Sequence, residues 1–391
     1  MKPKILKFPK NFYWGTATSA YQVEGGIRND WSSYSNKYDA GIACDHYNRF
    51  EEDFDLAKKM NNNAHRFSIS WARIEPEEGK FDQKEIEHYR KVILALKKRN
   101  LEPFVTLWHW SLPVWLTKKG GLANKKFPQY FEEFVERIMG EYKSLVKFWI
   151  TLNEPMVLLG HGYIEGTFPP FKKLSIFKFL RAFFNLMRAH KKAYKIIHKI
   201  NPKVKVSISQ MMNYFEPARE WCPVEKIFVC FARFFQGNYF YFLIRNYVDF
   251  VGFSYYHYNR VVWHPPFSKN LNKEVSDMGW EIYPKGIYHV IRYLKKYNKP
   301  IYITENGLAD AKDKKRTKFI IDHLKWVHKA IEEGVDVRGY FHWSLMDNFE
   351  WARGFKMRFG LIEIDYKTLK RIPRPSSKIY TEICKNNAIK L

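Results

Sequence analysis

The sequence predicts an α/β fold in which one domain, residues 1–391, forms a single (β/α)8 TIM barrel. Short runs rich in β-branched and aromatic residues alternate with longer stretches of helical periodicity, which is typical of parallel βα units. No linker or low-complexity tract divides the chain. Barrels of this length commonly fold as one domain.

Eight segments have the composition of buried strands. They are residues 12–22, 65–70, 103–108, 148–153, 204–209, 250–255, 300–304 and 338–343. Amphipathic helices are predicted between several of them, at residues 84–99, 130–142, 177–198 and 318–333. Eight such βα units favour a closed barrel, in which the chemistry lies at the carboxyl ends of the strands.

The composition favours a globular protein and gives no clear sign of a polyanion-binding site. Hydrophobic residues make up 46% of the chain and aromatic residues 18%, so a large core can form. The net charge of +26 would attract anions, but Lys and Arg are spread along predicted helix faces without a nucleic-acid motif. We therefore expect a solvated basic surface and no nucleic-acid partner. A basic polyanion-binding protein remains the alternative.

The cysteines and the first residues predict a reducing, cytoplasmic compartment. Cys44, Cys222, Cys230 and Cys384 form no C-x-x-C pair and no metal-ligand spacing, and the first residues lead into no apolar signal core. The most apolar stretch, residues 227–244, is interrupted by polar residues and falls short of a transmembrane span.

Two Glu residues stand in similar surroundings, each at the end of an apolar run. Glu154 lies in TLNEP at residues 151–155, and Glu305 lies in ITENG at residues 303–307. Pro155 cannot continue a ladder and Asn-Gly favours a turn, so both carboxyl groups are predicted just past strand ends. Two carboxylates at one barrel face suit acid-assisted cleavage of a glycosidic bond, although each Glu could instead cap a helix or brace a turn.

Six motifs in order along nearly the whole chain resemble the family 1 glycoside hydrolases, which are retaining β-glycosidases built on this barrel. The motifs are FYWGTATSAYQVEG at 12–25, HRFSISW at 65–71, TLWHW at 106–110, TLNEP at 151–155, ITENG at 303–307 and HWSLMDNFEW at 342–351. The resemblance implies a β-glucosidase-like enzyme that forms a covalent glycosyl-enzyme. Two carboxyl groups suffice for this chemistry, so neither a cofactor nor a metal is expected.

The resemblance also implies catalytic roles. Glu154 corresponds to the general acid/base and Glu305 to the nucleophile. Arg66 would supply a cation beside the nucleophile, Tyr256 would donate a hydrogen bond to it, and Asn153 would contact the 2-hydroxyl of the sugar. Retention requires the two carboxyl groups to lie roughly 5 to 5.5 Å apart.

The remaining matches imply a binding site for the non-reducing sugar. Gln22, His109, Asn153, Glu350 and Trp351 correspond to residues that hydrogen-bond its hydroxyls. Trp110 stands beside His109 at the same strand end, and Trp343 corresponds to the ring beneath the sugar. Several donors and acceptors around an aromatic platform fit a monosaccharide. The expected partner is therefore a small β-glycoside.

Two departures from the family pattern affect activity and specificity. Ser254 stands where the family usually has Asn, which predicts a shortened contact near the carboxyl pair. Relatives that take 6-phosphorylated sugars carry Ser, Lys and Tyr where this chain has Glu350, Met357 and Phe359. A carboxylate at Glu350 would repel a phosphate. We therefore expect unphosphorylated β-glucosides, β-galactosides or β-fucosides as substrates.

The chain is shorter than most of the family, and two aromatic, basic segments at residues 177–184 and 228–242 are predicted beside the acceptor site. They fit outer barrel helices, and they also fit a weak association with an anionic membrane surface and substrates with hydrophobic aglycones. A barrel that binds glycosides with little or no hydrolysis is the other alternative. No sequence feature indicates an oligomeric state.

Overall fold

Eight parallel strands close into a barrel in the computed structural model, which describes residues 4–265, 267–270 and 274–391. The strands of the described chain are β1 (Ile5–Lys7), β2 (Tyr13–Ala17), β3 (Ala64–Ser68), β4 (Glu102–Trp108), β5 (Phe148–Asn153), β6 (Lys205–Met211), β7 (Tyr214–Pro217), β8 (Val251–Tyr255), β9 (Tyr258–Val261), β10 (Ser268–Lys269), β11 (Ile301–Asn306), β12 (Val337–Trp343), β13 (Ile362–Asp365), β14 (Lys370–Pro373) and β15 (Ala388–Lys390). The barrel runs β2, β3, β4, β5, β6, β8, β11, β12 and back to β2. The prediction of a (β/α)8 barrel is confirmed.

Helices connect the barrel strands and cover the barrel. They are α1 (Ala20–Val23), α2 (Asp30–Tyr34), α3 (His46–Lys59), α4 (Trp71–Ile74), α5 (Gln83–Lys98), α6 (Val114–Lys118), α7 (Phe127–Tyr142), α8 (Pro155–Leu159), α9 (Ile176–Ile200), α10 (Pro223–Arg233), α11 (Tyr239–Ile244), α12 (Pro284–Leu294), α13 (Arg316–Glu332) and α14 (Pro375–Asn386). Helix α5 illustrates how such a helix begins and which side chains it buries. The Asp82 side chain accepts from the first backbone N–H groups, and Ile86, Ile93 and Leu96 form the buried stripe.

Aromatic rings fill the barrel interior below the carboxyl ends of the strands. Phe104 and Phe148 stack with centroids 4.1 Å apart, and Tyr302 lies 5.5 Å from Phe104. Phe341 meets Phe104 edge-on at 4.7 Å. These side chains come from neighbouring and opposite strands, so they close the barrel interior beneath the strand ends.

Smaller sheets extend the barrel. Strands β1 and β15 pair the two ends of the described chain, and β13 and β14 form a hairpin. Strands β10, β9 and β7 form a three-stranded sheet, on which α10 packs through a small cluster of Phe215, Val229 and Val261. Helix α10 therefore has only a narrow apolar support beneath it.

One predicted strand is wrong in its extent. The segment at residues 12–22 is strand only as far as Ala17, and helix α1 begins at Ala20. The Ser68 hydroxyl accepts a hydrogen bond from the Ala20 backbone N–H at 2.8 Å, which holds the turn away from the barrel. The other predicted strands agree with the structure within two residues and the predicted helices within three.

Candidate active site

The two Glu residues lie at the carboxyl ends of β5 and β11. Glu154 follows β5 directly, in a left-handed backbone conformation with φ 40°, and its N–H donates to Ser209 O at 2.6 Å. Glu305 was predicted just past its strand, but it is the penultimate residue of β11. The strand continues because the Asn306 side chain donates to Tyr255 O and accepts from the Tyr340 hydroxyl. The left-handed backbone of Glu154 is strained for a non-glycine residue, and such strain is common at functional sites.

Glu305 is held by two donors at the base of the site. The Arg66 guanidinium bonds to one carboxylate oxygen, and the Tyr256 hydroxyl donates to the other at 2.6 Å. Arg66 also donates to Asn153 Oδ1 at 2.6 Å. Glu305 is 3% exposed and Arg66 1%, so the pair is shielded from water. A cation and a hydroxyl donor at this carboxyl group stabilise its ionised form.

Glu154 has a different environment. Burial, aided by the negative charge of Glu305, raises its pKa well above the usual value. Among the described residues, its Oε1 has no hydrogen-bond partner. Arg66 lowers the pKa, but more weakly than burial raises it. The two carboxyl groups therefore differ, with Glu154 favouring the protonated form and Glu305 paired with a cation.

Ser254, at which the sequence predicts a shortened contact, lies beside the carboxyl pair. Its hydroxyl opposes the burial-driven rise in the pKa of Glu154. Ser254 Oγ also lies 3.2 Å from Ser209 Oγ, which is 2.6 Å from Thr304 Oγ1. Register pairs Ser254 with Glu305 across β8 and β11. A buried chain of hydroxyl groups thus supports the floor of the site.

Gln22 and Glu350 form a polar wall on one side of the site. Gln22 Nε2 lies 3.3 Å from Glu350 Oε2 and 3.0 Å from both Asn348 Oδ1 and Phe349 O. Burial, together with the charge of Glu305, raises the pKa of Glu350 to about 8. Glu350 is therefore largely protonated at neutral pH, and it can both donate to and accept from a hydroxyl group.

Asn153, His109 and the neighbouring indoles form the rest of the wall. Asn153 Nδ2 lies 3.0 Å from His109 Nε2, and Trp110 Nε1 donates to Asn153 O at 3.0 Å. Burial, together with the charge of Arg66, lowers the pKa of His109 well below its usual value, so its ring is neutral. The His109 ring is nearly parallel to those of Trp343 and Trp351, with centroids 6.0 and 5.9 Å away.

These side chains line a cavity of about 950 Å³ at the carboxyl face of the barrel. All the predicted site residues line it except Arg66, which lies behind Glu305 and Asn153. Sequence reasoning missed several lining residues outside the barrel strands, among them His161, Phe168, His257, Asn259, Met278 and Trp280. Trp280 packs against His257 at 4.8 Å and Tyr256 at 5.8 Å. A lone Trp in a loop was the only signal for it.

Within the described part of the chain, no three His, Cys, Asp or Glu side chains are grouped so that they could hold a metal ion. The site contains a carboxyl pair, a cation, hydroxyl donors and indole rings. That set can exchange a proton, present an ionised nucleophile and bind a polar ring with one apolar face.

Comparisons with known proteins agree with this geometry. The family described as Glycosyl hydrolase family 1 matches residues 5–242 and 233–389. The chain is 37% identical to a 1,4-beta-D-glucan glucohydrolase of Thermotoga neapolitana, over 98% of this chain and 100% of the relative. A beta-glycosidase from Pyrococcus horikoshii superposes with a TM-score of 0.93 at 38% identity, covering 99% of this chain and 97% of that one.

A second solved structure contains a ligand. The beta-glucosidase from Thermotoga maritima in complex with glucoimidazole has a TM-score of 0.93 and 36% identity, covering 98% of this chain and 100% of that chain. The similarity thus extends over the barrel and the loops that carry the site. The chain belongs to glycosyl hydrolase family 1, and it is a retaining glycoside hydrolase of the β-glucosidase type.

Proposed function

We propose that the enzyme hydrolyses unphosphorylated β-glycosides through a covalent intermediate on Glu305, with Glu154 as general acid and then general base. The observation that carries this proposal is the contrast between the two carboxyl groups. Glu305 is paired with Arg66 and Tyr256, whereas burial favours protonated Glu154. A nucleophile must be ionised and an acid must hold its proton, and these surroundings supply both conditions.

The two steps use the pair in turn. In the first, a Glu305 oxygen attacks the anomeric carbon while Glu154 gives its proton to the departing glycosidic oxygen. Glu305 is then esterified and uncharged, which removes the negative charge that helps to keep Glu154 protonated. The Glu154 carboxylate accepts a proton from water in the second step, water attacks the anomeric carbon, and the Glu305 carboxylate is released.

Arg66, Tyr256 and Asn153 support this chemistry from below. Arg66 bonds Glu305 and Asn153 at the same time, so it fixes the nucleophile relative to the residue proposed to contact the 2-hydroxyl. Tyr256 holds the second oxygen of Glu305, and burial raises the pKa of its phenol well above the usual value. The phenol therefore acts as a hydrogen-bond donor and carries no negative charge.

The proposed sugar subsite consists of Gln22, His109, Glu350, Trp351 and Trp343. All five line the cavity; the first four carry polar side-chain atoms, and the Trp343 indole has an apolar face. Trp110 fixes the strand end through its bond to Asn153 O. A hexose needs several directed hydrogen bonds and one flat contact, so this subsite suits a pyranose.

The preference for unphosphorylated sugars has a different basis from the one expected. Since the pKa of Glu350 is about 8, repulsion of a phosphate by its charge is only partial at neutral pH. Phe359 lines the cavity, and neither it nor Met357 provides a cation or a donor for a phosphate. The preference for unphosphorylated sugars is therefore supported by the absence of Lys and Tyr at these two positions.

The acceptor side of the cavity suits apolar aglycones. Phe179, Phe235, Phe168 and Met156 all line the cavity. Their side chains offer contact area without directed hydrogen bonds, so alkyl and aryl groups should bind better there than hydrophilic ones. We include a hydrophobic aglycone in the proposal on this basis.

A 2-deoxy-2-fluoro-β-glucoside with a dinitrophenolate leaving group tests the proposal. The fluorine slows both steps, and the activated leaving group keeps the first step fast, so the glycosyl-enzyme should accumulate with a stoichiometric burst of phenolate. Mass spectrometry should place the adduct on Glu305, and Glu305→Gln should abolish the burst. Glu363→Gln, at a 45% exposed carboxyl group, is the control.

Two results would count against the proposal. An adduct on another residue would remove Glu305 from the nucleophilic role. Tight binding of the fluoro-glycoside without any burst would instead support a barrel that binds glycosides with little hydrolysis.

A further inference from the structure

Helices α9 and α10 each expose a stripe of apolar side chains beside the cavity. On α9, Ala182, Leu186 and Ala189 face the barrel, while a second stripe of Phe177, Leu180 and Phe184 faces outward. Phe177 is 90% exposed. A barrel helix needs one apolar stripe for packing, so the second stripe on α9 is not explained by the barrel.

Helix α10 exposes more apolar surface than it buries. Val224, Ile227, Phe228 and Phe231 follow each other at helical spacing and all face outward, and Phe234 and Phe235 continue the stripe beyond the helix. Only Glu225 and Val229 of α10 are buried. Spacing of this kind is that of a surface-seeking amphipathic helix.

The two stripes are continuous. The Phe183 ring of α9 stacks on Tyr239 at 5.7 Å and meets Phe184 at 5.3 Å. Tyr239 in turn lies 5.3 Å from Phe234 and 5.7 Å from Phe235. We call the exposed members of this surface the aromatic rim; they are Phe177, Leu180, Phe184, Ile227, Phe228, Phe231, Phe234 and Phe235. Phe235 also lines the cavity, so the rim reaches the entrance of the active site.

The charge around the rim is mainly positive, with Glu220 as an exposed acid just before α10. The sequence contains no Asp or Glu between Glu165 and Glu216, nor between Glu225 and Asp249. Glu225 itself is buried and paired with Arg219. Exposed cations accompany the rim instead, namely Lys172, Lys173, Lys178, Arg181, Arg188 and Lys226. The apolar stripes are thus set in a positive field that favours a negatively charged partner.

We propose that the aromatic rim docks on an anionic lipid bilayer, with its apolar side chains in the interface and the cations on the lipid headgroups. Large exposed apolar side chains flanked by Lys and Arg match the interfacial mode of membrane binding. Among the described residues, no helix is long and apolar enough to span a bilayer. Binding therefore lies at the surface, and it places the cavity entrance next to the lipid.

Two other occupants fit less well. A nucleic acid would match the charge, but Leu180 and Ile227 have no ring to stack on bases, and the sequence contains no nucleic-acid motif. A second copy of this chain would match the apolar stripes, but it would bring two mainly basic surfaces together. An anionic bilayer satisfies both the apolar area and the charge.

Co-sedimentation with vesicles tests the proposal without relying on activity. The protein is mixed at low salt with vesicles of phosphatidylcholine alone or of equimolar phosphatidylcholine and phosphatidylglycerol. We expect retention on the anionic vesicles, weak retention on the neutral ones, and release as salt is raised. The double variant Phe228→Ser/Phe231→Ser should lower retention by about tenfold or more.

The control is Leu94→Ser/Ile372→Ser, which removes two side chains that are 45% and 47% exposed outside the rim. Melting temperature and turnover of a small aryl glycoside check that both variants are folded, because none of the four side chains lines the cavity. The control should bind vesicles as the wild type does.

The proposal is overturned if the wild type is not retained by anionic vesicles at low salt, or if both double variants bind equally well. Equal retention on neutral and anionic vesicles would overturn the preference for an anionic bilayer. Light scattering without vesicles adds a further check. A dimer that the rim variant dissociates, together with no vesicle retention, would assign the rim to a second copy instead.

Discussion

The floor and the aromatic rim of the same cavity are built in opposite ways. On the floor, Glu305, Arg66, Asn153 and Tyr256 are buried and bonded to one another. On the rim, Phe177 and Phe231 are 90% and 59% exposed. Buried charges must be paired, whereas exposed apolar groups gain stability only from a partner outside the chain. We therefore expect the floor to carry the chemistry and the rim to meet a partner outside the chain.

The largest effect should come from changing the proposed acid on the floor. Glu154→Gln should reduce kcat/KM for alkyl β-glucosides by about 10²- to 10⁴-fold, since a poor leaving group needs the proton. An activated dinitrophenyl glucoside should be affected much less in its first step. Steady-state kinetics on both substrates measures the difference. Equal losses on both would contradict an acid role for Glu154.

The same variant has a pH signature. Because the pKa of Glu154 is raised, activity should fall as pH rises through that pKa. Glu154→Gln should lose this alkaline fall. Glu350, with a pKa of about 8, is the matched control, because Glu350→Gln should weaken binding but leave the fall in place.

Removing the cation of the floor should cost stability. Arg66→Met leaves the Glu305 carboxylate buried without its partner, so we expect a loss of about 3–5 kcal/mol in the free energy of unfolding. Urea denaturation measures it. Arg338→Met, which breaks a half-exposed ion pair with Asp336, should change stability by less than about 1 kcal/mol. Equal effects would mean that the Arg66 pair is not specially shielded.

Changes at the entrance should affect binding and spare the chemistry. Phe179→Ala and Phe235→Ala each remove part of the apolar lining, so KM for octyl β-glucoside should rise about 3- to 10-fold while methyl β-glucoside changes little. Phe184→Ala, on the same helix as Phe179 but outside the lining, is the control. A fall in kcat on both substrates would show that these entrance side chains also affect the catalytic step.

The smallest effect concerns Ser254. The Ser254 hydroxyl lowers the pKa of Glu154, so Ser254→Ala should move the alkaline fall of activity to higher pH with only a small change in kcat. Ser254→Asn restores the residue usual in the family and should keep a donor at this position. A downward shift in Ser254→Ala would show that the hydroxyl does not stabilise the carboxylate.

Much of the floor could be predicted because its residues lie in short contiguous motifs. Glu154 directly follows β5 and Glu305 is the penultimate residue of β11, and the barrel brings all carboxyl ends of its strands to one face. The extent of the first strand was wrong since Thr18 and Ser19 fit a strand as well as a turn. The loop residues His257 and Trp280 were missed because the contact between them joins segments with no periodicity.

The sequence by itself determined the barrel, the pair of Glu residues and the side chains around them, because strand and helix patterns and local motifs depend on neighbouring residues. Only the tertiary structure decided three other properties. It raised the pKa of Glu350, let the Ser254 hydroxyl lower the pKa of Glu154, and joined two aromatic helices into one exposed rim. Each of these depends on burial or on contacts between distant segments, and a local sequence pattern predicts neither.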